Sequence, residues 1–313
     1  MKITVIVPTY RRPKDLSRCL EALKKQTRPA DEIVVVVRDT DQQTWDFLKL
    51  FNQEFLPLHT ETVITPGMIA ALNVGLDAAT GDIISFTDDD AAPHTDWLER
   101  IEAHFLSDER LGGLGGRDWV YFGTELYKAE PKEEVGRIQW FGRVIGNHHL
   151  GSGKVREVDI LKGVNMSFRR TAIANKYFDR RMRGITVIHS EIEFCLALKK
   201  AGWKLIYDPM LAVDHYRGER FDEDKRDQFS AIAMTNIVHN KTLALLEHLS
   251  PTRRAIFLLW SVLIGTRSEP GFFQWLRFLP REGRLSRQKW LASLRGVWQG
   301  WQTWQQSKFP SEN

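Results

Sequence analysis

The stretch Gly81-Asp82-Ile83-Ile84-Ser85-Phe86-Thr87-Asp88-Asp89-Asp90 places three consecutive carboxylates directly after an apolar run. The run predicts a strand, so the aspartates stand at its carboxyl end. Carboxylates in this position can share a hard cation such as Mg²⁺ or Mn²⁺ and leave open positions for phosphate oxygens. The alternative is a solvated acidic turn before a helix, because Pro93, Asp96 and Glu99 are typical of a first helical turn.

The residues before this run alternate between strand and helix patterns, which is typical of a parallel α/β sheet. We predict strands over residues 3–8, 32–37, 62–64 and 82–87 and helices over residues 13–26, 45–52 and 69–79. Ligands of such sheets bind at the carboxyl ends of the strands. Tyr10, Asp39 and Gly67 are expected at that edge together with the aspartates. There is no P-loop, and Asp118 interrupts the only glycine-rich candidate for a dinucleotide-binding fingerprint.

The chain has 313 residues, enough for one large α/β domain with an extension. Its two cysteines, Cys19 and Cys195, exclude a disulfide framework and a cysteine-based zinc site. This cysteine content, and an N-terminus typical of a strand rather than a signal peptide, predict a cytoplasmic protein. The longest apolar run, residues 255–265, is shorter than the ~20 residues of a membrane-spanning helix.

The C-terminal residues differ in composition from the rest of the chain. The net charge is +4, yet residues 251–308 contain ten Lys and Arg against two acids, and six of the eleven tryptophans. We therefore expect a main domain over residues 1–250 and a basic, Trp-rich helical extension over residues 251–313.

Four apolar residues of this extension recur at helical spacing: Leu291, Leu294, Trp298 and Trp301. Lys289 and Arg295 lie elsewhere on the helix surface. The pattern suits either a helix lying in an anionic membrane interface or a helix docked on the main domain.

Several short segments follow one another in a characteristic order along the chain: VIVPTYRRP (5–13), EIVVVVRD (32–39), 67–75, 81–90, GVNMSFRR (163–170), 178–179, SEIE (190–193), GWKL (202–205) and His215. This order resembles family 2 glycosyltransferases with the GT-A fold over about residues 1–220. The resemblance implies a mostly parallel, Rossmann-like α/β sheet flanked by helices, with a nucleotide-sugar half over 1–110 and an acceptor half over 111–250. It also implies inverting, metal-dependent transfer of a sugar from a nucleotide diphosphate, a UDP-sugar by preference, to a glycan or lipid-linked acceptor in cell-surface polysaccharide synthesis.

The resemblance assigns a set of residues to the donor: Pro8, Thr9, Tyr10, Arg11, Asp39, Gly67, Asn73, Asp88 and Asp89. Asp39 would accept a hydrogen bond from the nucleotide base, and Tyr10 would lie against that base. The alternatives are a turn role for Asp39 and a packing role for Tyr10. Arg11 and Arg12 are expected to contact solvent rather than phosphate. Leu72 stands where many family members carry a basic residue.

The aspartate run looks like the DxD motif of that family. Asp88 would then face the sugar and ribose and share the cation, Asp90 would bind the cation, and Asp89 would be the spacer. The cofactor implied is Mn²⁺ or Mg²⁺. His215 stands where some relatives complete the metal shell with a histidine, although a structural histidine is equally compatible with the sequence.

The family places the catalytic base where this chain has Glu191, although aspartate is usual there. Its alternative role is to favour a helix N-terminus. Asn165, Trp119 and Trp140 are expected on the acceptor side, where aromatic faces can stack on sugar rings, although the tryptophans are equally ordinary core residues. His148 is expected on an exposed glycine-rich loop together with His149.

Two other classes of function remain open from sequence. Glu191 and Leu72 are compatible with a sugar-binding pseudoenzyme of the same fold. The basic tail is compatible with a nucleic-acid-binding protein, although the aspartates would repel a phosphodiester backbone, so no nucleic-acid partner is expected. The expected partners are a nucleotide-sugar donor, a glycan or lipid-linked acceptor, and an anionic membrane surface through residues 251–308.

Overall fold

A computed structural model describes residues 1–54, 56–221, 224 and 228–308. The chain divides into two compact units. The first unit comprises Met1–Arg137, Ile145–Phe178 and Cys195–Glu219. The second unit comprises Ile138–Val144, Asp179–Phe194 and Arg220–Asn313.

The described strands are β1 (Ile3–Thr9), β2 (Glu32–Arg38), β3 (Leu58–Val63), β4 (Ile83–Thr87), β5 (Ala91–Pro93), β6 (Leu111–Phe122), β7 (Glu125–Leu126), β8 (Arg137–Ile138), β9 (Val144–Ile145), β10 (Arg156–Glu157), β11 (Asn165–Arg169) and β12 (Lys204–His215). The described helices are α1 (Pro13–Lys24), α2 (Gln42–Leu50), α3 (Met68–Ala78), α4 (Trp97–Ser107), α5 (Ser190–Lys200), α6 (Ala231–His248), α7 (Pro251–Leu263), α8 (Phe272–Glu282) and α9 (Arg284–Lys308), with a 3₁₀ turn at His148–Leu150.

The first unit is built on one mostly parallel sheet in the order β10-β12-β6-β11-β4-β1-β2-β3. β1, β2, β3 and β4 pair in parallel, and so do β6 and β12. β11 runs antiparallel between β4 and β6. The nearly continuous apolar sequence of β2 fits an interior strand that is covered on both faces. The expected α/β architecture is therefore confirmed.

Successive residues of β1 point to opposite faces of the sheet, and helices cover both faces. Val5 and Val7 belong to the same core cluster as Leu16 of α1 and Trp97 of α4. Ile6 points the other way, towards α3, where a Cβ on Gly75 would lie 2.5 Å from the Ile6 side chain. Glycine at that position allows α3 to pack closely on the sheet.

In the second unit, α6 packs along α9 through small residues of α9: Ala292, Ser293, Gly296, Val297 and Gly300. A Cβ on Gly296 would lie 2.6 Å from the Cβ of Val238, so the two helices approach closely. Because α6 packs on α9, α6 belongs to the same unit as the C-terminal helices. The last boundary between the two units lies between Glu219 and Arg220, before residue 250.

Some expected element boundaries were wrong. Pro93 lies in β5, and α4 begins only at Trp97, because Ala91–Pro93 pairs with β12. β3 begins at Leu58 because it extends along the whole of β2. α2 begins at Gln42 because the Asp41 side chain accepts from the Thr44 N–H and caps the helix.

The buried face of α9 also differs from the expected one. Its small residues are buried against α6, whereas Leu291 and Trp298 are exposed. Two helices can pack closely only where their side chains are small. A search for large apolar residues at helical spacing does not detect such a face. Among the residues that the structure describes, no helix is long and apolar enough to cross a bilayer.

Candidate functional site

Sheet pairing brings His215 next to the aspartates that follow β4. β5 begins directly after Asp90 and pairs antiparallel with the end of β12, where His215 is opposite Ala91. As a result, one ligand atom from each of Asp88, Asp90 and His215 lies within 4.8 Å of the other two. Two carboxylates and one imidazole form a donor set that suits a divalent cation.

Asp118 orients the imidazole of His215. It lies on β6, which pairs with β12, and its Oδ2 is 3.3 Å from His215 Nδ1. His215 Nε2 is 3.5 Å from Asp90 Oδ1. A proton on Nδ1 donated to Asp118 leaves the Nε2 lone pair facing the aspartates, which is the arrangement that metal-binding histidines use. The residues present therefore fit a divalent cation.

Asp89 and Arg12 form the buried support of this cluster. Arg12 Nη2 is 2.5 Å from Asp89 Oδ1, and Arg12 Nη1 is 3.1 Å from Asp90 Oδ2. The Thr9 hydroxyl also donates to Asp89, at 2.7 Å. The expectation that Arg12 contacts solvent was wrong, because a fully buried carboxylate at position 89 requires a cation.

Burial and neighbouring charges shift the pKa values of these carboxyl groups. Burial raises the pKa of Asp88, and the like charge of Asp90 raises it further. Burial alone would also raise the pKa of Asp118, but Lys162 and His215 outweigh it and hold that pKa well below its usual range. Lys162 forms an ion pair with Asp118. Asp118 therefore stays ionised, while a cation at Asp88 and Asp90 would relieve their mutual repulsion.

Comparison with known families identifies this arrangement. The sequence profile described as glycosyl transferase family 2 matches residues 4–173, more than half of the chain. The chain belongs to glycosyl transferase family 2. The matched residues include the aspartate run, β6 and β11 of the glycosyltransferase.

Two curated relatives come from Haloferax volcanii. The glycosyltransferase is 25% identical over 227 residues to a glucosyl-dolichyl phosphate glucuronosyltransferase. The aligned residues cover 69% of each of the two chains. It is 33% identical over 103 residues to the glycosyltransferase AglE, which covers 31% of this chain and only 33% of AglE.

Two solved structures share the fold of the glycosyltransferase. S. aureus TarS in complex with UDP-GlcNAc has a TM-score of 0.62 at 19% identity, covering 96% of this chain and 81% of that one. The mannosyltransferase PcManGT from Pyrobaculum calidifontis, in complex with GDP-Man and Mn²⁺, has a TM-score of 0.57 at 17% identity. The match covers 100% of this chain and 76% of PcManGT. The GT-A architecture is thus confirmed.

The structure places the donor residues of the glycosyltransferase in different environments. Pro8 and Thr9 end β1, and Arg11 follows with a φ of 56° and its guanidinium 5.1 Å from the Tyr10 ring. Asp39 follows β2, where its carboxylate pairs with Arg38 at 2.7 Å.

Two other residues that we expect at the donor, Gly67 and Asn73, have roles in the local backbone structure. Gly67 has a φ of 109° and begins α3, a conformation that favours glycine. Asn73 is buried, and its side chain exchanges two hydrogen bonds with the backbone of Phe178, at 2.8 and 3.0 Å. Asn73 thus anchors the loop after β11, and the structure gives it no place in the cluster of aspartates.

Of the residues expected on the acceptor side, Asn165 and Trp119 lie in the first unit and Trp140 lies in the second. Asn165 is fully buried; it accepts from the Trp97 indole at 2.9 Å and donates to the Leu211 carbonyl at 2.9 Å. These bonds tie β11 to its neighbours, and the acceptor role of Asn165 stays a prediction. Trp119 lies on β6 with the Arg117 guanidinium 3.5 Å from its ring centroid. Trp140 is exposed and belongs to the second unit.

The second unit contains the expected base. Glu191 lies in the first turn of α5, and its Oε1 is 4.0 Å from Nδ1 of His189. His189 Nε2 is also 4.0 Å from Glu269, which forms an ion pair with buried Lys241. Burial, assisted by the Lys241 charge, lowers the pKa of His189 to about 3, so this imidazole is neutral at physiological pH.

Other carboxylates near Glu191 in sequence are held in ion pairs. Glu193 Oε1 is 3.3 Å from His248 Nε2. Asp179 binds the guanidinium of Arg181 through both oxygens, at 2.7 to 3.0 Å. The assignment of Glu191 as the base stays a prediction that rests on the family motif.

Sequence reasoning missed several functional or supporting residues: Arg12, Asp118, Lys162 and His189. Asp118 carried a readable signal, since it is a lone carboxylate between a glycine-rich run and the apolar run Trp119 to Phe122. His148 was expected to be exposed, yet it is buried, and burial lowers its pKa to about 4. Its Nε2 lies 3.1 Å from the Ile160 carbonyl, a partner that sequence does not reveal.

Proposed function

We propose that the protein is an inverting, metal-dependent glycosyltransferase that moves a sugar from a nucleotide diphosphate donor to the hydroxyl of an acceptor. The observation that carries this proposal is the convergence of Asp88, Asp90 and His215 at the carboxyl edge of the sheet in a family 2 chain. The Mn²⁺ bound by PcManGT supports the cation, and the UDP-GlcNAc bound by TarS supports a uridine donor.

Asp88, Asp90 and His215 would hold the cation, either Mn²⁺ or Mg²⁺. When bound, the cation supplies positive charge that stabilises the departing diphosphate. Asp118 keeps the His215 ring oriented, and Arg12 keeps Asp89 and Asp90 in place. Asp88 also faces the sugar and ribose of the donor.

Asp39 would read the uracil ring by accepting a hydrogen bond from its imide N–H. Its position after β2 puts the carboxylate at the carboxyl edge of the sheet, where ligands of α/β folds bind. Tyr10 would lie against the base, and Pro8, Thr9, Arg11 and Gly67 would shape the surrounding loops.

Glu191 would take the proton from the acceptor hydroxyl as general base. It stands at the base position of the family motif, in the first turn of α5. Trp119 and Trp140 would offer aromatic faces to the acceptor glycan. The relative that is named for glucosyl-dolichyl phosphate supports a lipid-linked acceptor. We also propose that transfer takes place in the cytoplasm and serves cell-surface polysaccharide synthesis.

Calorimetric titration with UDP, with and without Mn²⁺, tests the donor site. We expect Mn²⁺ to tighten UDP binding by the wild-type chain at least about tenfold and to have no such effect on Asp90→Asn, because one ligand is lost. Asp39→Asn should weaken UDP binding by about 1–3 kcal/mol, because an amide N–H would face the imide N–H.

Asp46→Asn is the matched control, since Asp46 is an exposed carboxylate on α2 that pairs only with neighbours on its helix. It should bind UDP like the wild type. Equal Mn²⁺-dependent tightening in wild type and Asp90→Asn would rule out the proposed donor site.

A further inference from the structure

Helix α8 exposes its apolar side chains. No residue of this helix is buried. The exposed fractions of four of its apolar residues run from 37 to 58%: Phe272, Phe273, Leu276 and Leu279. On a helix these positions fall on one side, so they form a continuous apolar stripe. Stripes of this kind in a folded protein indicate an interaction surface.

The end of α7 extends the same surface. The backbone N–H of Gly271 donates to the Ile264 carbonyl at 3.1 Å, and Gly265 forms a bridge with Pro270. This closed loop places the end of α7 directly beside the start of α8. Several side chains at that end are also exposed: Leu259, Val262, Leu263 and Ile264.

Three arginines lie beside the apolar stripe. Arg267, Arg277 and Arg281 line a cavity of about 370 Å³ together with Gln274, Phe278 and Glu282. The guanidinium carbons of Arg267 and Arg277 lie 5.4 and 5.6 Å from the centre of the Phe278 ring. Stacking on this ring holds both guanidinium groups at the cavity.

The acids of this region are already neutralised within the unit. Glu282 pairs with Lys289 at 2.7 Å, and Glu269 pairs with Lys241. In the described ranges, no carboxylate forms an ion pair with Arg267, Arg277 or Arg281. The surface therefore combines an apolar stripe with uncompensated positive charge.

We propose that α8 and the end of α7 dock on an anionic phospholipid bilayer. A helix with one apolar side and an arginine-bearing polar side lies in the plane of the membrane interface. Phe272, Phe273 and Leu276 enter the boundary of the acyl chains. Arg267, Arg277 and Arg281 bind lipid phosphates, which guanidinium groups recognise through two parallel hydrogen bonds. A phosphate group fits the volume of the cavity.

This surface differs from the one that spacing in the C-terminal extension indicated. The small residues of α9 are buried against α6, so α9 is held mainly by packing inside the second unit. Arg267, Arg277 and Arg281 contribute three of the ten basic residues of 251–308, and five others lie on α9.

Vesicle flotation of the full chain tests this proposal. We expect binding to phosphatidylcholine vesicles that contain phosphatidylglycerol and little binding to phosphatidylcholine alone. Phe273→Ser with Leu276→Ser, and separately Arg277→Glu with Arg281→Glu, should each lower the bound fraction by about tenfold or more. The arginine variant should lose the salt dependence of binding.

Matched controls carry equivalent changes in the first unit. Leu50→Ser with Ile64→Ser removes side chains that are 88 and 74% exposed, and Lys25→Glu with Arg110→Glu makes the same change in charge. Both controls should bind vesicles like the wild type. Thermal melting of all variants should be unchanged, because every substituted side chain is solvent-accessible.

Four results would overturn the proposal. One is wild-type binding that does not require phosphatidylglycerol. A second is loss of vesicle binding in the controls to the same degree as in the α8 variants. The third is a dimer in light scattering that Phe273→Ser with Leu276→Ser converts to a monomer without affecting vesicle binding, which would make this face an interface between copies. The fourth is binding of an oligonucleotide in preference to vesicles.

Discussion

The two units of the molecule differ in where their charged and apolar side chains lie. The first unit buries Asp89, Asp90 and Asp118 and gives each of them contacts with cationic or imidazole groups. The second unit leaves the apolar side of α8 exposed beside unpaired arginines. For each place we propose a ligand of the complementary chemistry, a divalent cation in the first unit and an anionic lipid surface in the second.

The excess can be counted in the first unit. Four carboxylates, Asp88, Asp89, Asp90 and Asp118, lie around two permanent cations, Arg12 and Lys162, in the described part of the cluster. Burial raises the pKa of Asp89 to about 7 and also raises the pKa of Asp88, so a divalent cation bound there would favour the ionised forms of both groups. The second unit instead exposes apolar and basic side chains on α8, for which we propose an anionic lipid surface.

The largest expected effect tests whether the second unit also contributes to chemistry. Glu191→Gln keeps the size of the side chain but cannot take a proton at neutral pH, so transfer should fall by about 10²–10⁴-fold with UDP affinity nearly unchanged. Rates of sugar transfer, alongside UDP titration, check this. Glu193→Gln is the control, because Glu193 contacts His248. Full activity of Glu191→Gln would remove the base assignment and direct the search to Glu193 or Asp179.

Glu191→Asp sharpens the same comparison, since aspartate is usual at this position in the family. If the site has adapted to the longer side chain, the substitution should lower the transfer rate. An increase would mean that glutamate limits turnover. A positional change of about 1 Å is enough for either effect.

A smaller effect, on stability, is expected from the buried ion pair of the first unit. Arg12→Met leaves Asp89 buried without its cation and should lower the free energy of unfolding by about 3–5 kcal/mol. Urea unfolding followed by circular dichroism measures this change. Arg12→Met combined with Asp89→Asn should recover part of the loss, because position 89 then carries no buried charge, although buried Asp90 still lacks its Arg12 contact. Arg11→Met is the exposed control, and equal destabilisation by it would contradict the role of Arg12.

The smallest effect concerns pH and applies to the first unit. His148 in the first unit has a pKa lowered by burial to about 4, so between its ordinary 6.5 and about 4 the unfolded state binds more protons than the folded state. Stability should therefore fall as pH decreases through this window, by about 1 kcal/mol at about pH 5.5. Urea unfolding at about pH 7 and at about pH 5.5 measures this change in stability. His148→Gln can still donate to Ile160 and should show a weaker pH dependence; an unchanged dependence would exclude His148 as a source.

Sequence patterns predicted the alternation of strands and helices, the aspartate edge and His215 as a ligand candidate. These features are local or follow from the rule that ligands bind at the carboxyl ends of parallel strands. The roles of Asp118 and Arg12 were not predicted. The role of Asp118 depends on the pairing of β6 with β12, and that of Arg12 depends on the loop before α1. Both elements are distant in sequence from β4. Asn165 was assigned to the acceptor, although its amide serves three backbone and side-chain partners across the sheet.

The sequence by itself determined the fold class, the family motifs and the excess of charge in each part of the chain, since these depend on periodicity, order and composition. Only the tertiary structure decided which charges are paired and which apolar faces are covered. The sequence left open whether the face of α9 with Leu291 and Trp298 is docked or exposed; the structure buries the small residues of α9 on α6 instead, and no residue of α8 is buried. Whether a charge or an apolar side chain has a partner depends on contacts between residues far apart in sequence, and spacing along one helix or strand contains no information about them.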